Sequence, residues 1–336
     1  MSELRAALEA EVGRRHGPGA SVAALELIPG GASQEAWQLD VDTGGERLEL
    51  IVRRDLGGRM FATALSRELE FRVIEAAYKA GVPAPRPYYC IDDLAGRPAF
   101  VMQRLSGETI GRRIVRNDEF AAAREHLPGQ MGQALAAIHA TPADALTELP
   151  RPDPDESSPD YVLRVLAEEM AGIEEPYPAL ALALRWLQAH APAEDRRVLA
   201  HGDYRIGNMV VDSHGLVGVL DWEFAHIGHP GEDIGFGITR AWRFGRAELR
   251  FGGVGHVEDF LSAYIAAGGA ALSAAEVYFW EVTANLKWAV ATITQARRHL
   301  SGLEPSMELA SLGRMTAEIE LELLSLIDPA HPRYPY

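Results

Sequence analysis

The sequence predicts an α+β fold, with a small antiparallel sheet and one helix in the N-terminal third and a larger, mainly helical part behind it. Three observations carry this reading. Three strand-like runs follow one another at the start of the chain, a helix and two further strand-like runs come next, and helical periodicity dominates from about residue 106 onward. With 336 residues the chain is long enough for one large domain or two lobes.

Taken in order, residues 3–15 read as a short amphipathic helix with Leu4, Ala7 and Leu8 on one stripe. Strands are expected over 22–28, 35–41 and 48–53; in the last, Leu48, Leu50 and Val52 alternate with residues of the opposite face. The turn between the first two strands, Pro29-Gly30-Gly31-Ala32-Ser33-Gln34, has two readings. It is a plain hairpin turn, or it folds over a nucleotide with backbone amides and the Ser33 hydroxyl on phosphate. A helix is expected over 62–80, stopped by Gly81 ahead of Pro83. Glu70 shares its apolar stripe with Val73, Ile74 and Ala77. A carboxylate there needs a cation, because burying it unpaired is costly. Arg53, closing the third strand, is the natural partner, and Arg54 points to the opposite face.

Strands near Tyr88 and over 99–105 follow, then a helix from Met131 with Met131, Leu135 and Ile138 on one face. His139 near its end reads as a core or capping residue rather than a ligand. A proline-rich, acidic connector over 141–159 leads to helices at 161–172 and 179–191.

The stretch 201–221, HGDYRIGNMVVDSHGLVGVLD, contains two short apolar runs, 209–211 and 216–220, joined by a turn at 212–215. A hairpin brings its outer ends together, so Asn208 and Asp221 are placed to share one hard cation. An amide and a carboxylate supply the oxygen ligands that magnesium accepts beside phosphate oxygens. Asp203 stands one loop away, free to face a substrate hydroxyl. Glu223, two residues beyond Asp221, either reaches the same or a second metal or pairs with an arginine. Long amphipathic helices are expected over 257–267, 274–299 and 304–327.

Composition narrows the classes. A formal charge of -16 opposes nucleic-acid binding, which needs clustered cations. The single cysteine, Cys90, lies in an apolar run and excludes an internal disulfide. No apolar run approaches transmembrane length, and the N-terminus is too charged for a secretory signal, so a soluble cytoplasmic protein without a membrane partner is expected. Oligomeric state is left open. Only Lys79 and Lys287 are lysines; the rest of the 32 basic residues are arginine.

The HxDxxxxN pattern of His201, Asp203 and Asn208, with Asp221 after the hairpin and the continuation DWEFAHIGHPGEDIGF, resembles the aminoglycoside phosphotransferase-like family of the protein kinase-like superfamily. The wording is near that of the phosphotransferase-like domains joined to acyl-CoA dehydrogenases. The resemblance implies a protein kinase-like two-lobe fold, with a nucleotide-binding lobe over 1–105 and a catalytic and substrate-binding lobe over 106–336. It implies Asp203 as catalytic base, Asn208 and Asp221 as metal ligands with Glu223 as a further candidate, His201 as a structural residue and Asp233 as the brace of the catalytic loop. The ATP phosphates would fall to the turn of Gly30, Gly31 and Ser33 and to Arg53 paired with Glu70. Gln103 and Leu105 of the hinge strand would line the nucleotide pocket. The superfamily carries lysine where this chain has Arg53, which keeps the charge but offers a bidentate fork in place of a compact point charge.

The expected function is therefore an ATP- and magnesium-dependent kinase that passes the γ-phosphoryl group to a hydroxyl of a small molecule. The alternative is a kinase-like module that binds nucleotide or metabolite with weak or no transfer, and Arg53 is the feature favouring it. A metal-dependent hydrolase using His201, Asp203 and Asp221 is disfavoured, because no further histidines cluster with that pair. The acceptor pocket is expected within 107–200 and 236–336, where Asp160, Trp280, Glu281 and Trp288 carry no distinguishing signal.

Overall fold

The computed structural model describes residues 2–28, 34–55 and 64–336. The N-terminal lobe opens with α1 (Ser2–His16) and continues through β1 (Ser21–Ile28), β2 (Gln34–Asp42), β3 (Arg47–Asp55), α2 (Arg67–Lys79), β4 (Pro87–Ile91) and β5 (Ala99–Gln103). The five strands form one antiparallel sheet in the order β1-β2-β3-β5-β4. Alternation gives β3 two faces. Leu50 and Val52 are buried with Leu4, Leu8 and Val12 of α1. Ile51 and Arg53 face the other side, where Leu69, Val73 and Ile74 of α2 pack with Phe100 and Met102 of β5.

Residues 62 and 63, where the sequence predicts the start of a helix, lie outside the described residues, and 64–66 are not helical. Ser66 is the N-cap of α2, its hydroxyl accepting from the Leu69 amide at 3.3 Å. A hydroxyl there satisfies an amide that has no partner inside the helix, which is why the helix starts one residue later.

The larger lobe contains α3 (Gly111–Arg116), α4 (Ala121–His139), α5 (Ser158–Ala171), α6 (Pro178–His190), β6 (Val198–Ala200), the hairpin of β7 (Met209–Asp212) and β8 (Gly215–Val219), β9 (His226–Gly228), α7 (Pro230–Ile238), α8 (Val257–Ala266), α9 (Ala274–Leu300), α10 (Met307–Leu312) and α11 (Thr316–Ile327). The single helix expected over 304–327 is broken by a tight turn at Gly313–Met315. At that point an added Cβ on Gly313 would come within 2.7 Å of the Ala296 side chain, so the turn lies close against α9. β6 pairs with β9, a ladder that no local sequence pattern predicts. One core gathers residues of α4, α7, α8 and the hairpin; a second gathers α5, α6, α9 and α11.

The hairpin sits where the lobes meet. The Val219 amide donates to the Pro83 carbonyl at 2.7 Å. Leu105 lies over Gly218 of β8 so closely that a Cβ there would be 2.3 Å from Leu105 Cδ1.

Candidate active site

Residues 201–203 enter the site through a backbone that only glycine tolerates. Gly202 has φ +82°, and a Cβ on it would stand 2.2 Å from the Phe224 carbonyl oxygen. The loop is held from below by Asp233 in the first turn of α7. The His201 amide donates to Asp233 Oδ2 at 2.8 Å and the Gly202 amide to Oδ1 at 2.8 Å. His139, at the end of α4, donates Nε2–H to Oδ2 at 3.1 Å and meets the Tyr264 hydroxyl through Nδ1 at 2.7 Å. Burial pushes the Asp233 carboxyl up, but the His139 hydrogen bond and charge, with the His201 contacts, outweigh it and hold the group at about 2.

The GHPGEDIG motif explains itself in this setting. His229 and Glu232 cap α7 reciprocally, with the Gly231 amide on His229 Nδ1 at 3.0 Å and the His229 amide on Glu232 Oε1 at 2.8 Å. A Cβ on Gly235 would lie 2.2 Å from the Trp280 carbonyl oxygen, so the absent side chain lets α7 and α9 touch and aims Asp233 at the loop.

His201 is fully buried. Its Nε2 donates to the Leu220 carbonyl at 3.0 Å, and its Nδ1 accepts the Asp203 amide at 3.3 Å. The ring is thus neutral, and burial, which lowers its pKa against the pull of Asp233, Asp203 and Asp221, keeps it so. Trp222 packs beside it at 4.8 Å between ring centroids. With that indole inward, Asp221 and Glu223 of the DWE motif fall on the other side of the chain. Asp221 has φ +67°, a left-handed conformation that aspartate adopts more readily than bulky residues.

Arg53 joins the lobes. Its Nη1 lies 2.9 Å from Glu70 Oε1 and its Nη2 donates to Asp221 Oδ1 at 2.9 Å. Glu70, fully buried, also pairs with Arg67, which reaches Glu223 at 3.6 Å. Glu68, two positions before Glu70 on α2, is exposed. Arg54 on the opposite face of β3 pairs with Glu35 at 2.8 Å. Burial raises the Asp221 carboxyl, but Arg53, with Arg205 and His201, lowers it further than burial lifts it. Glu223 goes the other way: burial first, then the neighbouring Asp221 charge, push it up to about 7.

Asp203 is buried at the base of the cleft. Oδ2 accepts from Asn208 Nδ2 at 2.7 Å, and Oδ1 accepts from Arg205 Nε at 3.0 Å. Arg205 is itself stacked 4.5 Å over the Trp242 ring. Asn208 uses the same amide nitrogen on the Asp203 carbonyl at 2.8 Å, which leaves its amide oxygen as the atom a cation would meet. The Leu220 amide donates to the Asn208 carbonyl at 2.8 Å, so Asn208 and Asp221 are neighbours across the hairpin. The donors are hard oxygens beside a partly exposed carboxylate, a set that fits magnesium.

A cavity opens on Asp203, lined also by Glu169, Phe224, Phe236, Lys287 and Trp288. Lys287 Nζ donates to the Gly202 carbonyl at 2.9 Å and lies 5.6 Å over the Phe236 ring. Of the four acceptor candidates only Trp288 reaches this cavity. Glu281 is buried under Arg243, Arg250 and Arg333 at 3.1, 2.7 and 2.7 Å. Trp280 stacks on His229, and Asp160 accepts from Ser157 at 2.6 Å. Phe224 lies outside the expected acceptor segments because the DWE turn, rather than a helix, supplies one wall. Gln103 is occupied with Arg86, its side-chain oxygen accepting the Arg86 amide at 3.3 Å. Gly30, Gly31 and Ser33 lie outside the described residues. Arg67, Arg205, Glu169 and Lys287 join the site without any motif in the sequence to mark them; the rarity of lysine is the one available signal for Lys287.

The family model described as the phosphotransferase enzyme family matches residues 24–278. Acyl-CoA dehydrogenase family member 10 of Mus musculus is 28% identical over 201 residues, covering 56% of this chain and 18% of that protein. Acyl-CoA dehydrogenase family member 11 of Pongo abelii is 25% identical over 293 residues, covering 81% of this chain and 37% of that protein. The chain therefore spans well under half the length of these relatives. Among solved structures, a Ralstonia eutropha protein provisionally named an aminoglycoside phosphotransferase superposes with a TM-score of 0.72 at 20% identity, covering 96% of this chain and 97% of that one. A spectinomycin phosphotransferase solved with ADP and spectinomycin superposes with a TM-score of 0.64 at 14% identity, covering 95% of this chain and 97% of that one. These neighbours share the protein kinase-like two-lobe fold. With the family model matching across most of its length, the chain belongs to the phosphotransferase enzyme family.

Proposed function

We propose that the protein is an ATP- and magnesium-dependent kinase acting on a hydroxyl of a small molecule, with Asp203 as the base. The observation that carries this reading is the meeting of three groups at one cleft: Asp203 facing a cavity, the neighbouring Asn208 and Asp221, and Arg53 tied to Glu70 on the opposite lobe. The acceptor oxygen attacks the γ-phosphorus, the bond from that phosphorus to the bridging oxygen breaks, ADP departs, and the hydroxyl proton passes to an oxygen of Asp203. Asp203 orients the hydroxyl and takes its proton late, because the loose transition state needs little prior deprotonation. Arg205 and Asn208 fix the carboxylate against rotation. Asn208, Asp221 and Glu223 would hold magnesium, which when bound offsets charge on the phosphate oxygens. The turn of Gly30, Gly31 and Ser33 would cover the phosphates, with Gln103 and Leu105 beside the base of the nucleotide.

The second reading, a nucleotide-binding module without transfer, draws on Arg53, whose guanidinium already rests on Asp221. Saturating ATP with magnesium should raise the melting temperature of the wild type, since a ligand of the folded state alone must stabilise it. No shift would count against both readings. A shift together with equal ADP release by wild type and Asp203→Asn would favour the module.

A further inference from the structure

Arg53 offers a planar fork of donors, and such a fork commonly closes on both oxygens of a facing carboxylate. Arg53 does not close on Glu70 in this way. Its Nη1 meets Glu70 Oε1 at 2.9 Å, while its Nη2 turns across the cleft and donates to Asp221 Oδ1 at 2.9 Å. Glu70 Oε1 receives no aligned hydrogen bond from this contact, so the guanidinium is oriented on Asp221 rather than on Glu70.

The second Glu70 oxygen is taken by Arg67. This residue opens α2, one turn before Glu70, and its Nη1 donates to Glu70 Oε2. Arg67 is itself anchored. Its Nη2 donates to the Leu65 carbonyl at 3.4 Å and lies 3.6 Å from Glu223 Oε2, and the Leu65 amide donates to the Glu223 carbonyl at 2.8 Å. Arg67 is 6% exposed and Glu70 is fully buried, so solvent is not at hand to replace either partner. One guanidinium would match the Glu70 charge; what the second adds is a division of the two oxygens between two arginines.

We propose that Arg67 is a positioning residue for the nucleotide phosphates: by occupying Glu70 Oε2 it restricts Arg53 to one arm on Glu70 and keeps the other arm, Nη2, directed into the cleft. This rests on the kinase reading above. In the structure that arm rests on Asp221. When Asp221 turns to magnesium, the same arm becomes available to a phosphate oxygen. Without Arg67, both arms would fold back on Glu70 and the cleft would lose its arginine. A lysine in place of Arg53, being a compact point charge, would need no such division.

The test is titration calorimetry of the full chain with ADP and magnesium, and separately with adenosine, for the wild type, Arg67→Met and the double variant Arg53→Lys/Arg67→Met. Arg67→Met should raise Kd for ADP by about ten-fold or more, the size of one lost charge-assisted hydrogen bond. Its Kd for adenosine, which has no phosphate, should stay at the wild-type value. Adding Arg53→Lys should recover most of the ADP affinity, an outcome that a merely structural role for Arg67 does not produce. Because Arg67→Met strips a charge from a buried carboxylate and risks unfolding, Arg67→Gln is the second variant. Its amide keeps one neutral donor on Oε2, too weak to hold that oxygen against the Arg53 guanidinium, so ADP affinity should fall here too. An unchanged ADP Kd in either folded variant, equal losses for ADP and adenosine, or no recovery on adding Arg53→Lys would overturn the role of Arg67. Failure of the wild type to bind ADP with magnesium would instead overturn the kinase reading beneath it.

Discussion

Asp233→Asn tests whether the 201–203 loop is held by a buried carboxylate. The wild-type group accepts from two backbone amides at 2.8 Å each and from His139 at 3.1 Å. Asparagine keeps the shape but has one acceptor oxygen, so its NH2 must face either the His201 or the Gly202 amide. An orphaned buried donor together with weaker hydrogen bonds to a neutral acceptor sums to about 3–5 kcal/mol. The acid response carries a second signature. A carboxyl held at about 2 in the fold against an ordinary 3.8 contributes stability that is present above 3.8 and lost as pH falls through 2. That pH-dependent part is about 2 kcal/mol. Urea unfolding at neutral pH should show the larger loss, and a series from about pH 5 down to about pH 2 should show a shallower acid slope in the variant. A loss under about 1 kcal/mol at neutral pH, or an unchanged acid slope, would refute the brace.

Three further outcomes follow from the same geometry. Gly202→Ala should be severely destabilising or fail to fold, because its φ of +82° and the 2.2 Å approach to the Phe224 oxygen admit no Cβ; a melting temperature near wild type would contradict this. Glu223→Gln should make the metal-free protein more stable above about pH 7, by up to about 3 kcal/mol. The sign follows from a pKa raised from 4.5 to about 7: the relative stability is complete below 4.5 and lost as pH rises through 7, so the variant should lack that decline in a pH series of thermal melts. Arg53→Ala should cost about 3–5 kcal/mol by weakening the pairing of buried Glu70. Arg53→Lys should recover part of this, and a lysine variant no more stable than the alanine one in urea unfolding would show that charge there is unimportant.

Parts of the site are legible in the amino-acid sequence. Strand alternation separates Arg53 from Arg54, helical spacing puts Glu70 rather than Glu68 on the buried stripe, and the hairpin brings Asn208 beside Asp221. Asp233 is identified as the brace only by resemblance, and nothing in its own surroundings in the chain points to His139. The broken helix at Gly313–Met315 is also hidden, because the glycine there responds to α9 rather than to its own neighbours.

The division has a physical cause. Periodicity, turns and caps depend on residues a few positions apart, so the sequence by itself determined the strand and helix order of the N-terminal lobe, the faces those elements present and the hairpin that carries the polar groups. Contacts across long stretches of chain depend on how whole elements pack. Arg53 meets Asp221 across 168 positions, His139 meets Asp233 across 94, and Lys287 reaches Gly202 across 85. Which charges neutralise one another, and what chemistry the cavity beside Asp203 admits, were therefore decided only when the lobes and helices came together.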